Sequence, residues 1–576
     1  MRNYSCLVVA IVAVALASLD WTPSTLAQAP RMRPGLGGLR EKLDREKLDR
    51  DKFDRDKDKL SEEDKLGVQA KTETAEDEGP EDKSPAADSY RKGVDSFEKG
   101  ETDAAIASFN RAIELDAKYA PAYCDRGLAL TMKGEFDKAI SDLTQAIRLA
   151  PNGGRSYFNR GYTYFRQGEY DKALADYSDA IRLHPNYAEA YRDRGYVRTI
   201  KGELSDALSD LETAVRLAPK DAAAYTSRSK ARFESGDFPG AIADLSQSIQ
   251  LSPKDAAVWC ERGNIRVLTG DFDNALTDLD EAVKLDPDSL QNRFTRGFAY
   301  TRKGDYAKAL ADLNEVLRLD AKFGEAYRER GLCLALTKEI DKGLADLNKA
   351  IELVPEDYEA FRCRGSVYAM KGDLDKALAD YDKAIEMDSA FAEAFFDRAL
   401  VYAAKDNWDK ALADYKQVIQ LDPRTAEGYK NWGPPEAKES RAKAVDRLEE
   451  MLSKAKTEAQ THSQKGAALH KEGDLDKAIA EYSKALELYP RYPEVYYNRG
   501  LAYRKKDQVG KAVADYTQAI RLDPKYVPAY ANRGFVFYKQ GATERALADF
   551  DKILQIDPNN ADAKKSREII VKTQSE

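Results

Sequence analysis

A 34-residue period runs through most of this chain and limits what it can fold into. It reads most clearly over 154–187, GRSYFNRGYTYFRQGEYDKALADYSDAIRLHPNY. Tyr157, Arg160, Gly161 and Tyr164 stand at spacings of three, four and seven, which puts them on one stripe of a first helix, and that stripe is predicted to be the buried one. Gly168 supplies a left-handed residue to end this helix, and Ala173, Tyr177 and Ala180 form the stripe of a second helix that stops at Pro185. A helical hairpin this small cannot cover its own apolar faces, so the pattern predicts a stack of copies.

The copies are there, one every 34 residues. With Gly154 as position one, Gly127, Gly161, Gly195, Gly263, Gly297, Gly331 and Gly365 hold position eight, with Ser229 in the gap. Pro151, Pro185, Pro219, Pro253 and Pro287 hold position thirty-two. Ten continuous units run over 86–425 and three more over 459–560. The lattice resembles the tetratricopeptide repeat family, with Tyr in that family's Trp position and Arg in its Leu position. The resemblance implies an all-α fold, a right-handed superhelical solenoid of helix-turn-helix repeats.

Across 576 residues such a period describes one elongated array rather than several globular domains. The net charge of −9 argues against a nucleic-acid backbone as partner, because that needs a dense basic face. Cys6, Cys124, Cys260, Cys333 and Cys363 show no paired spacing, so buried or groove-lining thiols are expected rather than a disulfide framework. His184, His462 and His470 form no ligand pattern, and neither a phosphate-binding glycine loop nor a nucleophile elbow is present.

Residues 1–29 read as an export leader: Arg2 is the charge, Cys6 to Ala17 the apolar stretch, and Ala27-Gln28-Ala29 the cleavage site, with the cut after Ala29. An earlier cut after Ala17, or retention as a short anchor, is the alternative. Residues 30–85 read as a solvated tether, since 39–65 alone carries ten basic and eleven acidic side chains. The first repeat, with Lys92 and Ser108 at positions where later units carry Arg and Asp, reads as a cap. Residues 426–458 read as a degenerate copy or hinge whose first helix is cut short by Pro434 and Pro435. Residues 561–576 read as a closing helix and tail, with Ile569, Ile570 and Val571 on its apolar side and Arg567 in water.

Two sets of residues stand out. Arg160 with Asp176, Arg194 with Asp210, Arg262 with Asp278 and Arg296 with Asp312 exemplify a ladder in which Arg at position seven accompanies Asp at position twenty-three. Where one partner changes so does the other, as in Lys465 with Glu481, and the regularity predicts a structural ion pair between helices. The second set is a wall. In tetratricopeptide proteins positions two, five, nine, twelve and thirteen of the first helix face the inside of the superhelix. Here they supply Phe158, Tyr162, Phe165, Arg166, Arg192, Tyr196, Phe294, Phe298, Arg328, Arg362, Phe396, Tyr497, Phe535 and Tyr538. Aromatics beside arginine dominate interface energetics, and an apolar, partly acidic peptide is the expected occupant. The family's clamp for acidic chaperone tails is not matched, because Asn264 at position nine is accompanied by Cys260 at position five.

The expectation is an exported protein, periplasmic, cell-surface or secreted, that binds a protein or peptide and does no chemistry. No cofactor, metal or nucleic acid is expected, and membrane contact only through an uncleaved N-terminal segment. The alternatives are a self-associating structural component of the cell envelope and a targeting subunit for a separate envelope-modifying enzyme.

Overall fold

The computed structural model describes residues 84–421 and 435–575. The expected leader with its cut at Ala29, the tether up to residue 83, and Tyr429, Trp432 and Gly433 lie outside them. The regular elements among the described residues are all α-helices, arranged as an all-α repeat solenoid in two compact units, one ending at Pro287 and the other starting at Asp288. Among the described residues no helix is long and apolar enough to cross a membrane.

One hairpin shows how the sequence builds the rest. The first helix, Gly154–Gln167, ends at Gly168, whose φ of 84° lets its N–H and that of Glu169 turn back onto the carbonyls of Phe165 and Tyr164. The same position is left-handed in every described repeat: ten glycines hold it, and Lys338, Asp406 and Asp507 adopt the same sign of φ without glycine's freedom. The second helix, Tyr170–Leu183, buries Ala173, Tyr177 and Ala180 completely. Position eight must be small because the second helix crosses there: a Cβ on Gly161 would stand 3.0 Å from the Tyr177 ring, and one on Gly331 only 2.8 Å from the Gly343 carbonyl oxygen.

The buried stripe of the first helix differs from the expected one. Gly161 is buried, but Tyr157 and Tyr164 are only half-buried. Positions three and ten are buried instead, as in Ala190 with Val197, Ala326 with Cys333 and Ala394 with Val401. The reason is that a first helix packs against the first helices of adjacent repeats as well as against its own second helix. A helix held from two sides buries a wider arc than an amphipathic surface helix.

The degenerate segment also differs. The helix that carries Ala444 and Leu448 does not stop before a fresh hairpin at 459 but runs unbroken from Pro435 to Glu472, straight through the expected boundary at 458/459. In an ordinary repeat position thirty-two is proline, but 459 is preceded by Lys456, Thr457 and Glu458, none of which breaks a helix. The N-terminal half of this helix packs Ala444, Val445, Leu448 and Leu452 onto Tyr415, Val418 and Ile419. At the C-terminus, Ala561–Ser575 closes the last hairpin with Ala563 and Ile570. Ile569 and Val571, expected on its apolar side, are exposed, and Arg567 donates to Asp551 at 2.6 Å rather than simply facing water.

Candidate functional site

The ladder is built as a double hydrogen bond. Arg160 Nε and Nη2 each donate to one oxygen of Asp176 at 2.8 Å, and the same fork joins Arg194 to Asp210, Arg262 to Asp278 and Arg296 to Asp312. The remaining guanidinium nitrogen reaches backward sixteen residues to the preceding repeat: Arg160 Nη1 donates to Thr144, Arg194 Nη1 to Ser178 and Arg262 Nη1 to Ser246. Each such arginine therefore fastens three helices, its own, its partner and the second helix before it. Its face is covered by the aromatic ring at position four, with Arg160 over Tyr157 at 5.8 Å and Arg262 over Trp259 at 5.0 Å. The capping helix uses the same backward step through Arg567 and Asp551. In the repeat from 459, where Glu481 replaces Asp, His462 Nδ1 stands 2.6 Å from Glu481 Oε2.

The wall divides in two. Position five is taken up internally. Phe158, Phe294 and Phe396 are buried, and the first two stack on Tyr187 and Phe323 at position thirty-four, with ring centroids 5.0 and 5.2 Å apart. Arg192 donates to Asp193 and Asp221, Arg328 to Asp357 with Glu359 alongside, and Arg362 to Asp397, so these guanidinium groups are spent on the chain's own carboxylates. Tyr497 is half-buried, edge-on to Tyr526, and accepts from Asn532. Phe158, Phe294, Phe396, Arg192, Arg328 and Arg362 are thus corrected from groove surface to packing and pairing residues. The reason is the close approach of successive first helices, which closes over position five.

The wall residues at positions nine, twelve and thirteen stay accessible in part, although smaller side chains at positions nine and twelve of other repeats, such as Leu332, Leu400, Thr199 and Ala369, are buried. Tyr162, Phe165, Arg166 and Tyr196 are half-buried and touch one another: Arg166 donates to the Tyr162 hydroxyl at 2.8 Å, and Phe165 meets Tyr196 edge-on at 5.8 Å. Lys230, from the following repeat, lies 4.9 Å over the Tyr196 ring. In the second unit Arg302 caps the half-buried Phe298 at 4.5 Å. Phe535 is exposed, with Arg504 and Lys539 within 6 Å of its ring, and Tyr538 beside it is half-buried.

A third group was not anticipated. Position six of the first helix is acidic in Asp125, Asp193, Glu329 and Asp397, and it pairs with the neighbouring position-five or position-two residue. Asp125 accepts from Tyr90 at 2.7 Å and from Arg155, and Asp397 accepts from Arg362 at 3.0 Å. Burial holds the Asp193 carboxyl above the usual carboxylate range although Arg192 lies against it. The signal was present in the sequence for Arg192 and Arg328, each followed by an acid at six and another at thirty-four, whereas Arg362 meets Asp397 at position six of the next repeat. Cys124, Cys260, Cys333 and Cys363 are separate buried thiols, and burial pushes the Cys363 thiol up to about 12. Among the described residues no three His, Cys, Asp or Glu side chains are placed to share a metal ion.

Family models described as TPR repeat match 95–134, 127–168, 365–406, 466–507 and 500–541, and models described as tetratricopeptide repeat match 154–187, 392–424, 527–560, 226–289 and 294–358. No curated protein matches the chain. Among solved structures, the Cut9–Hcn1 hetero-tetramer of the APC/C is similar at 15% identity over 88% of this chain and 98% of that one, with a TM-score of 0.41. A tetratricopeptide repeat protein from Parabacteroides merdae ATCC 43184 is similar at 20% identity over 45% of this chain and 98% of that one, with a TM-score of 0.39. YrrB, described as a TPR protein with an unusual peptide-binding site, is 27% identical over 31% of this chain and 92% of its own, with a TM-score of 0.24. Because the family models cover more than half of its length, the chain belongs to the tetratricopeptide repeat family.

Proposed function

We propose that this protein is a non-enzymatic scaffold, acting outside the cytoplasm, that holds a peptide or protein segment against the first helices of its repeats. Proteins of this family generally serve as protein–protein interaction scaffolds without chemistry of their own. The observation that carries the finer reading is the division of the wall: position five is consumed within the chain, while Tyr162, Phe165, Arg166 and Tyr196 remain half-exposed as one aromatic and cationic patch. Rings backed by a fixed cation present large contact area with little side-chain entropy left to lose. The export-leader pattern of residues 1–29 supports the location.

The test is photo-crosslinking in the native host from positions 162, 298 and 535, with exposed second-helix positions 352 and 386 as the comparison. One protein segment should crosslink from the first-helix positions alone. Equal capture from both faces overturns the reading, and crosslinks to a second copy of the chain replace it with self-association.

A further inference from the structure

Charge near the C-terminal ends of the first helices is spread unevenly along the chain. Positions twelve and thirteen of the ten repeats over 86–425 hold two acids, Glu98 and Glu234, and two cations, Arg166 and Arg302, and no other charged side chain. In the three repeats over 459–560 the same positions are His470 with Lys471, Arg504 with Lys505 and Tyr538 with Lys539, which makes four cations and no acid. Among the described residues none of these four cations is ion-paired. Lys471, Lys505 and Lys539 are exposed and Arg504 is half-buried. The adjoining acid, Glu472, lends its field to Lys477 on the second helix. The His470 imidazole is held below its ordinary value by burial first and by Lys505 second, with no acid among the causes. Apolar surface lies within a turn of the same cations. Phe535 is 45% exposed, with Arg504 at 5.9 Å and Lys539 at 5.7 Å from its ring centre. Half-buried Leu501 holds the matching position of the preceding repeat, on the face that carries Arg504 and Lys505.

We propose that the first helices of the three repeats from 459 take an acidic partner segment that carries an aromatic side chain, its carboxylates meeting Arg504, Lys505 and Lys539 and its ring lying on Phe535 and Leu501. The proposal rests on the scaffold reading above and adds the chemistry of the occupant and the repeats that hold it. Arg192, Arg328 and Arg362, farther up the chain, are directed to the chain's own carboxylates, whereas the cations around Phe535 carry none. An ion pair at such exposed places is weak singly and is screened by salt, so the ring contact has to supply part of the affinity. The cations flank Phe535 instead of covering it, and a segment that alternates acid with ring can satisfy both at once.

Fluorescence anisotropy with the full chain tests this, using labelled glutamate–phenylalanine, glutamate–serine and lysine–phenylalanine peptides of equal length, all amidated at the C-terminus so that no terminal carboxylate takes part. The glutamate–phenylalanine probe is expected to bind best and the lysine–phenylalanine probe not at all. The triple variant Arg504→Gln, Lys505→Gln and Lys539→Gln should weaken the first probe about tenfold. Phe535→Ser should weaken it about fivefold or more and bring it level with the glutamate–serine probe. Unchanged thermal melts show that both variants keep the fold, and the comparison among the three probes needs no variant. Lys477→Gln, Lys484→Gln and Lys511→Gln together remove the same charge from exposed places on second helices and should leave binding unchanged. Equal weakening in the two triple variants means diffuse attraction and overturns the proposal. Absence of binding by the glutamate–phenylalanine probe overturns it too, as does equal binding of the glutamate–serine probe by the native chain or tighter binding of the basic one. Crosslinking from positions 162 and 298, outside these three repeats, decides separately whether the scaffold reading stands.

Discussion

Asp278 holds more of its repeat together than Arg262 does. Its carboxylate, 2% exposed, accepts two hydrogen bonds from Arg262 and a third from Arg266 at 2.6 Å. Asp278→Ala therefore strands two guanidinium groups, whereas Arg262→Ala leaves Asp278 with Arg266. We expect Asp278→Ala to cost about 3–5 kcal/mol, as for a broken buried pair, and Arg262→Ala about half of that. Urea unfolding of the two single variants and the double variant measures this, and additive losses would mean that the rung carries no coupling. A second outcome concerns acid. Burial holds the carboxyls of Asp515 and Asp549 above the usual carboxylate range, even though Arg499 and Arg533 each donate twice to them and pull the other way. Between the ordinary unfolded value and the raised folded one, the native state holds the extra proton. The group therefore adds stability as pH falls through its folded value, and adds no more below the unfolded one. In Asp515→Asn that gain is absent, so the stability gap between variant and native protein should widen from pH 7 toward pH 4. A gap that narrows would mean that the arginine, not burial, sets the carboxyl.

Helix ends decide where a repeat begins, and the long helix Pro435–Glu472 shows it by omission. Restoring the missing breaker with Lys456→Pro places a proline inside a continuous helix, between the segment that packs on Tyr415 and Ile419 and the segment that pairs with Leu475–Leu488. It should cost about 3 kcal/mol or more and lower helicity by circular dichroism. Tolerance of that proline would restore the separate degenerate unit read from 426–458. Hairpin existence, the left-handed stop at position fifteen and the Arg–Asp rung were legible because each depends on residues within one repeat, at fixed spacing. The fate of position five was not legible, because it depends on how closely successive first helices approach. Phe158 with Tyr187 and Arg328 with Asp357 are the same contact twenty-nine residues on, written once in aromatics and once in charge. Reading position five beside positions six and thirty-four, rather than along its own helix, would have separated packing from surface. Tyr162 and Phe165 are half-buried where smaller side chains at the same positions, Leu332 and Leu400 at nine and Ala335 and Ala369 at twelve, are covered, so ring size rather than register keeps them accessible.

Along each unit a repeat touches chiefly the repeats on either side, so stability is expected to be set locally and to pass from neighbour to neighbour. The closing helix gives the cleanest place to measure that range. Ile570, 1% exposed, and Ala563 are its buried anchors, packed in the same cluster as Phe550 and Ile553 of the last hairpin. Ile570→Ala should cost about 2–5 kcal/mol, the range for emptying a buried aliphatic site. In a cooperative globule that loss would speed hydrogen exchange everywhere, because every amide that opens by global unfolding would feel it. In an array it should accelerate exchange strongly over Thr543–Ile556, less over Val509–Leu522, and not at all over Phe136–Leu149 in the other unit. A graded profile identifies the chain as a series of coupled hairpins in which a partner gripping a few repeats stiffens only those and their neighbours. A uniform rise would instead mean that occupancy at one end is felt along the whole length.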